Sequence, residues 1–209
     1  KENRRVTVQP GIVLDQLNAY LKPHGLYFPV DVSTSSRATI GGMTANNSCG
    51  ARSIRYGNMV DNVHAVDAIL ADGSKLHFGQ LPDDFQAAHI PARYRDIATP
   101  LLDLGRREAA EITARFPEVQ RRVGGYNIDA LVPDVGSQNL AHLLVGSEGT
   151  LAFSTAIELD LAPIPSNKIL GICHFPDFYA AMDATQHIVK MDPTAVELVD
   201  RTMIDLARE

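Results

Sequence analysis

Between Ala38 and Gly50 the chain reads Ala-Thr-Ile-Gly-Gly-Met-Thr-Ala-Asn-Asn-Ser-Cys-Gly, with Tyr56-Gly57 shortly after. Such a run limits the available folds because it places glycines, hydroxyls and amides where large apolar side chains would otherwise build a core. Glycine lets the backbone turn and lets its N–H groups approach a ligand with no Cβ between them, and Thr, Ser and Asn add neutral hydrogen-bonding groups. The run suits close contact between backbone and a polyanionic ligand. A Gly/Asn-rich surface turn uses the same residues, and on composition it stays open as the alternative.

At 209 residues the chain can bury a sizeable core and has room for one domain or one and a half. Its 19 basic and 25 acidic residues leave a charge of -6, which excludes nonspecific nucleic-acid binding as a first reading. An anionic substrate would need a local basic pocket. No stretch of about eighteen apolar residues signals an integral membrane segment, and no apolar run follows Lys1-Glu2-Asn3-Arg4-Arg5 as a signal peptide would require. The expected location is the cytoplasm, with peripheral membrane attachment left open. Cys49 and Cys173 lie far apart and read as reduced thiols, Cys49 either as a packing residue or as a reactive one. The seven histidines show no His-x-His or His-x-x-x-His pair, so no metal site is expected from this chain alone.

Val6 to Val8 alternates like a strand, and Val13, Leu14, Leu17 and Leu21 mark one face of a helix closed by Pro23 and Gly25. Val63 to Leu70 and Lys75 to Phe78 read as a hairpin turning at Asp72-Gly73. Pro82 to Phe116 is helical in composition, with an expected stripe of Ile97, Leu101, Leu104 and Ile112 and a solvated charged face. Leu140 to Val145 is a short helix or strand, and Leu151 to Leu161 alternates as a long strand. Beyond the punctuation at Pro163 and Pro165, the expected order is strand (Ile169 to Phe175), helix (Asp177 to Lys190, capped by Asp177), strand (Ala195 to Leu198) and a helix from Asp200. That is half of a split α+β sandwich. Asp129 and Asp134 read as turn residues.

Taken in order, Pro10-Gly11, Leu17-Asn18, Gly25-Leu26, Phe28-Pro29-Val30-Asp31, the Thr-Ile-Gly-Gly and Asn-Asn-Ser-Cys-Gly runs, Arg52, Tyr56-Gly57 and Ala71-Asp72-Gly73 resemble the FAD-linked oxidases. A second block, Gly146-Ser147-Glu148-Gly149-Thr150-Leu151, lies downstream, with Gly124-Gly125-Tyr126-Asn127 between the two. Ordered blocks are far more specific than one glycine motif. The resemblance covers almost the whole chain and falls in the vanillyl-alcohol oxidase superfamily, in the branch of D-lactate, glycolate and D-2-hydroxyglutarate dehydrogenases.

The resemblance implies an α+β fold: residues 1–162 as the second subdomain of an FAD-binding domain of the p-cresol methylhydroxylase type, and residues 163–209 as the start of a ferredoxin-like substrate domain. The family's Arg-Gly-Gly-Gly-Thr pyrophosphate loop and its catalytic histidine segment have no counterpart here, so the chain is expected to be a fragment, with the catalytic base beyond Glu209 and weak or no FAD binding alone. Two cysteines cannot make an iron–sulfur motif, so any such cluster would lie elsewhere in the parent.

By the same resemblance, cofactor contacts are expected from Pro29, Asp31, Ser33, Thr39, Ile40, Gly41, Gly42, Asn46, Ser48, Gly50, Tyr56, Gly57, Glu148, Gly149 and Ile157. Many relatives carry prolines where Val30 and Val32 stand here, a departure from the family pattern in the local turn. Arg121, Arg122 and Tyr126 are the substrate candidates, and Arg52 and Arg55 are candidate anion contacts or surface charges. The implied reaction takes a hydroxyl proton to a base and the Cα hydride of a D-2-hydroxy acid to flavin N5, giving a 2-oxo acid. D-2-hydroxyglutarate is the first substrate, and D-lactate or glycolate the alternative. Electrons would leave to a quinone, an electron-transfer protein or an iron–sulfur module, since no Gly-x-Gly-x-x-Gly follows a strand. Two readings of other classes remain: a noncatalytic binding module, and a nucleotide hydrolase, which lacks a Lys-Ser or Lys-Thr after its glycines.

Overall fold

The computed structural model describes residues 4–133 and 138–208, so Asp134 lies outside the described residues. Strand β1 (Arg5–Val8) is followed by helix α1 (Leu14–Leu21), which buries Leu14, Leu17 and Leu21 on one face. The chain then forms β2 (Leu26–Tyr27) and three short helices, α2 (Ile40–Ala45), α3 (Ser53–Tyr56) and α4 (Met59–Asn62). The hairpin β3 (Val63–Ile69) and β4 (Lys75–Phe78) turns at Asp72-Gly73, where the Asp72 carboxylate accepts the Ser74 N–H at 2.9 Å. Helices α5 (Ala92–Arg107), α6 (Ala109–Arg115) and α7 (Ala141–Leu144) precede β5 (Phe153–Asp160) and β6 (Ala162–Pro163), and α8 (Phe178–Ile188) and α9 (Arg201–Leu206) end the chain.

The main sheet is antiparallel with order β1-β5-β3-β4, and β2 pairs β6 in a two-stranded ladder. Strand β5 is central. Its Ile157 and Leu159 point into the core opposite Val66 and Val6, as the alternation requires when one face is packed and the other wet.

Helix α5 forms but is turned from its expected orientation. Tyr94, Ala98, Leu102 and Gly105 are buried, whereas Ile97, Leu101 and Leu104 are only partly so. A Cβ on Gly105 would meet the Leu131 carbonyl, so the helix approaches the 128–131 turn more closely than a larger residue permits. Small residues define this face, and a stripe drawn through the large apolar ones misses it.

The helices α8 and α9 form with the expected caps: Asp177 accepts from Ala180 N–H and Asp200 from Met203 N–H, both at 2.8 Å. The strands expected at Ile169 to Phe175 and Ala195 to Leu198 do not form. A strand pattern becomes a strand only when another backbone edge completes its hydrogen bonds, and among the described residues no strand pairs with either stretch. Ile169 is 98% exposed and Leu170 84%.

His142 lies on α7 and is half-buried. Burial holds its pKa below the ordinary 6.5, against a partial opposing pull from Asp61 and Asp129. The unfolded chain therefore binds this proton more readily, so the contribution to stability is present above about pH 6.5 and is lost as pH falls below it. A urea-midpoint series from pH 7.5 to 5 should slope downward toward acid, less steeply in His142→Gln. Equal slopes in both proteins would refute the assignment.

Candidate functional site

The Ala38 to Gly50 run folds around α2 rather than into an open loop. Thr39 caps the helix, its Oγ1 accepting the Gly42 N–H at 3.2 Å. The Ile40 N–H reaches Ile12 O at 2.9 Å and the Gly41 N–H reaches Pro10 O at 2.8 Å. These amides, expected to face a phosphate, are thus occupied by the segment after β1. A Cβ on Gly41 would stand 2.5 Å from Pro10 Cβ, which gives that glycine a packing role.

The second block closes the other end of α2. Gly146 N–H donates to Thr44 O at 2.9 Å and Glu148 N–H to Ala45 O at 3.0 Å, satisfying carbonyls that a helix C-terminus leaves open. Two sequence blocks far apart in the chain therefore form one surface. Gly42, Asn46, Glu148, Gly149 and Thr150 are exposed on these two adjoining blocks, and the Tyr126 hydroxyl bonds Thr150 Oγ1 at 2.8 Å. A Cβ on Gly149 would meet nothing within 4 Å, and on Gly42 only the capping Oγ1 at 3.1 Å.

Residues 120–127 form a strap beside this surface. Gln120 donates to Ser53 O at 3.2 Å, Arg121 Nη2 to Gly50 O at 2.8 Å, and Arg122 O accepts from Asn47 Nδ2 at 3.2 Å. Asn127 Nδ2 then donates to Val145 O at 2.9 Å. On the Gly50 side the strap borders an open cleft of about 520 Å³ lined by Asp31, Ser33, Cys49, Gly50, Arg121 and the 196–198 segment.

Four arginines gather around this region, and their partners separate them. Arg52 N–H donates to Asp31 Oδ1 at 3.0 Å while its guanidinium lies over the Tyr27 ring. Arg55 pairs with Asp192 at 3.6 Å. Arg122 pairs with Asp129 at 2.5 Å and covers Phe116, so Asp129 is an ion-pair partner rather than a turn residue alone. Arg121 has no carboxylate partner among the described residues and lines the cleft, with one guanidinium N–H given to Gly50 O. Tyr27 packs edge-on against Tyr56, and its phenol is pushed far up, first by burial and then by its hydrogen bond to Tyr56. It is neutral at physiological pH.

The expected contacts thus divide. Asp31, Ser33, Gly42, Asn46, Glu148, Gly149, Arg121 and Tyr126 are open to a ligand. Pro29 and Ile40 are buried, Thr39 and Ser48 are engaged in the backbone of the run, and Gly57 backs onto Asp61. Ile157 is fully buried on a strand whose two edges are both paired, which gives it a place in the core. Gly50 is shaped by the close approach of the Asp31 backbone.

Sequence reasoning passed over Asn47. It is 1% exposed, its Oδ1 accepts the Val60 N–H at 2.9 Å, and its Nδ2 holds the strap. An asparagine next to a glycine-rich run reads as a turn former, and nothing local marks it as a hub.

Residues 1–79 match a family model described as FAD binding domain, and residues 164–209 match one described as FAD linked oxidases, C-terminal domain. The chain is 35% identical over 208 residues to a D-2-hydroxyglutarate dehydrogenase of Pseudomonas putida, covering 99% of this chain and 21% of that protein. It is 34% identical over 207 residues to a D-2-hydroxyglutarate dehydrogenase of Escherichia coli, covering 98% and 20%. A D-lactate dehydrogenase of Archaeoglobus fulgidus is 27% identical over 209 residues, covering 100% and 36%. The chain spans about a fifth of the length of the first two relatives. A solved structure of alkyldihydroxyacetonephosphate synthase shares the fold, with a TM-score of 0.55 at 19% identity over 93% of this chain and 27% of that one. Among the described residues no helix is long and apolar enough to cross a membrane.

Proposed function

Because the chain belongs to the FAD-linked oxidases, we propose that residues 1–162 form the second part of an FAD-binding domain and residues 163–209 the start of a substrate domain, in a cytoplasmic oxidoreductase converting D-2-hydroxy acids to 2-oxo acids. The boundary is supported by the C-terminal family match beginning at residue 164. The names of the relatives favour D-2-hydroxyglutarate as substrate, with D-lactate or glycolate as the alternative.

The observation that carries this reading is the docking of the Gly146 to Gly149 turn onto the end of α2, which joins both motif blocks into one exposed polar surface. Open glycine positions at 42 and 149 leave room for a flat or extended ligand against backbone. The residues fit a flavin dinucleotide, with Gly42, Asn46, Glu148 and Gly149 as its wall and Asp31 and Ser33 toward the cleft. FAD, when bound, supplies the hydride-accepting chemistry. Arg121 would hold a substrate carboxylate through its free guanidinium face, and the Tyr126 hydroxyl, anchored by Thr150, would orient the neighbouring polar group.

Titration of FAD into the intact protein, followed by flavin fluorescence, should saturate, and Gly42→Trp should abolish saturation by filling the open face. If the unsubstituted protein shows no saturable binding, the flavoprotein reading falls and a noncatalytic module takes its place.

A further inference from the structure

Neutral amide side chains tie down most of the strap at residues 120–127. Asn47 donates to Arg122 O at 3.2 Å, Asn58 to Gln120 O at 3.4 Å, Gln120 to Ser53 O at 3.2 Å, and Asn127 fixes the far end on Val145 O. One anchor differs in kind. Arg122 Nη2 donates to Asp129 Oδ2 at 2.5 Å, its guanidinium lies 4.6 Å from the centre of the Phe116 ring, and its side chain is only 19% exposed. Asp129 Oδ1 is buried with no hydrogen-bond partner among the described residues. A carboxylate with one buried, unmatched oxygen is a less stable tether than another amide would be. Tethering alone therefore gives no reason for an ion pair here.

The neighbouring residue supplies one. Arg122 turns inward to Asp129 and Phe116, while Arg121 is exposed, lines the cleft and gives one N–H to Gly50 O. Fixing the first side chain against the body of the protein aims the second at the cleft. Asp129 is a firm point to fix it to: it lies in the 128–131 turn, where Gln138 holds the Leu131 carbonyl at 2.6 Å and α5 approaches closely at Gly105. Pairing also occupies the charge of Arg122. A second free guanidinium beside Arg121 would offer an incoming carboxylate a competing pose.

Resting on the reading of Arg121 as the contact for a substrate carboxylate, we infer that Asp129 is a positioning residue. Acting through Arg122, it sets the strap so that Arg121 alone meets the acid in the cleft.

The test uses the intact protein and calorimetric titration with 2-oxoglutarate, the 2-oxo acid of the proposed reaction, which needs no turnover. Arg121→Ala should raise its Kd about tenfold and Asp129→Asn about fivefold, as lost charge-assisted contacts do. The double variant should bind no more weakly than Arg121→Ala alone, because a residue that works through Arg121 then has nothing to act on. Under turnover of D-2-hydroxyglutarate, Asp129→Asn should raise KM and leave kcat unchanged, and its Kd for FAD should not move. Phe116→Leu keeps every charge and removes only the ring beneath Arg122, so it carries the test if Asp129→Asn does not fold; its Kd for 2-oxoglutarate should rise about twofold to threefold. Losses that multiply in the double variant overturn the inference, and so does equal weakening of FAD and 2-oxoglutarate, or 2-oxoglutarate binding that neither Asp129→Asn nor Phe116→Leu changes. Unchanged binding in Arg121→Ala, or no binding by the unsubstituted protein, overturns the substrate role of Arg121 and this inference with it.

Discussion

Gly50→Ala is expected to destabilise the fold by about 3 kcal/mol through added bulk alone. The new methyl group would collide with the Asp31 carbonyl oxygen and lie 2.6 Å from its carbon. Backbone, unlike the end of a flexible side chain, cannot step aside, so one of the two loops must move. Asp31 holds the amide of Arg52, and Gly50 O holds Arg121, so the displacement reaches both walls of the cleft. For a chain of this length the melting temperature should fall by roughly 6–12 °C. Gly124→Ala is the control, since a Cβ there meets nothing within 4 Å and φ is not left-handed. Equal melting temperatures for the two variants would show that the approach of the Asp31 and Gly50 loops is not fixed.

The same contact shows what the composition of the glycine-rich run specifies and what it leaves open. Its composition says that backbone comes close to something, and sequence cannot say whether that partner is a ligand or another stretch of the same chain. At Gly41 the partner is Pro10 and at Gly50 it is Asp31, whereas Gly42 and Gly149 stay open. Elements whose signals are local emerged readily: the Asp72-Gly73 hairpin and the caps at Asp177 and Asp200 depend on residues within a few positions. The orientation of α5 and the unformed strands at 169–175 and 195–198 depend on what packs against them, a property of the partner as much as of the segment. The arginines show the same divide. Arg121 and Arg122 are adjacent and chemically equal in sequence, and only Asp129 and Phe116, brought beside one of them by the fold, leave the other free.

Asn47→Ala should cost about 3–4 kcal/mol, and the sum has two separable parts. One is loss of two partly buried hydrogen bonds, which leaves the Val60 N–H and the Arg122 carbonyl without their partner. The other is the left-handed backbone at φ 46°, which alanine adopts at about 1 kcal/mol more than glycine. Asn47→Gly should therefore recover about 1 kcal/mol relative to Asn47→Ala while leaving the hydrogen-bond loss in place. Because Asn47 Cβ also sits where a side chain on Gly146 would press, the residue touches the helix end, the second motif and the strap together. Both variants should loosen more than they unfold. Amide hydrogen exchange is expected to accelerate at residues 120–127 and 146–150 before it does so on the central strand β5, where Ile157 and Leu159 are held from both sides. Uniform acceleration across the sheet would mean that Asn47 supports the whole fold. Exchange confined to those two segments would mean that one buried amide holds the two motif blocks in register.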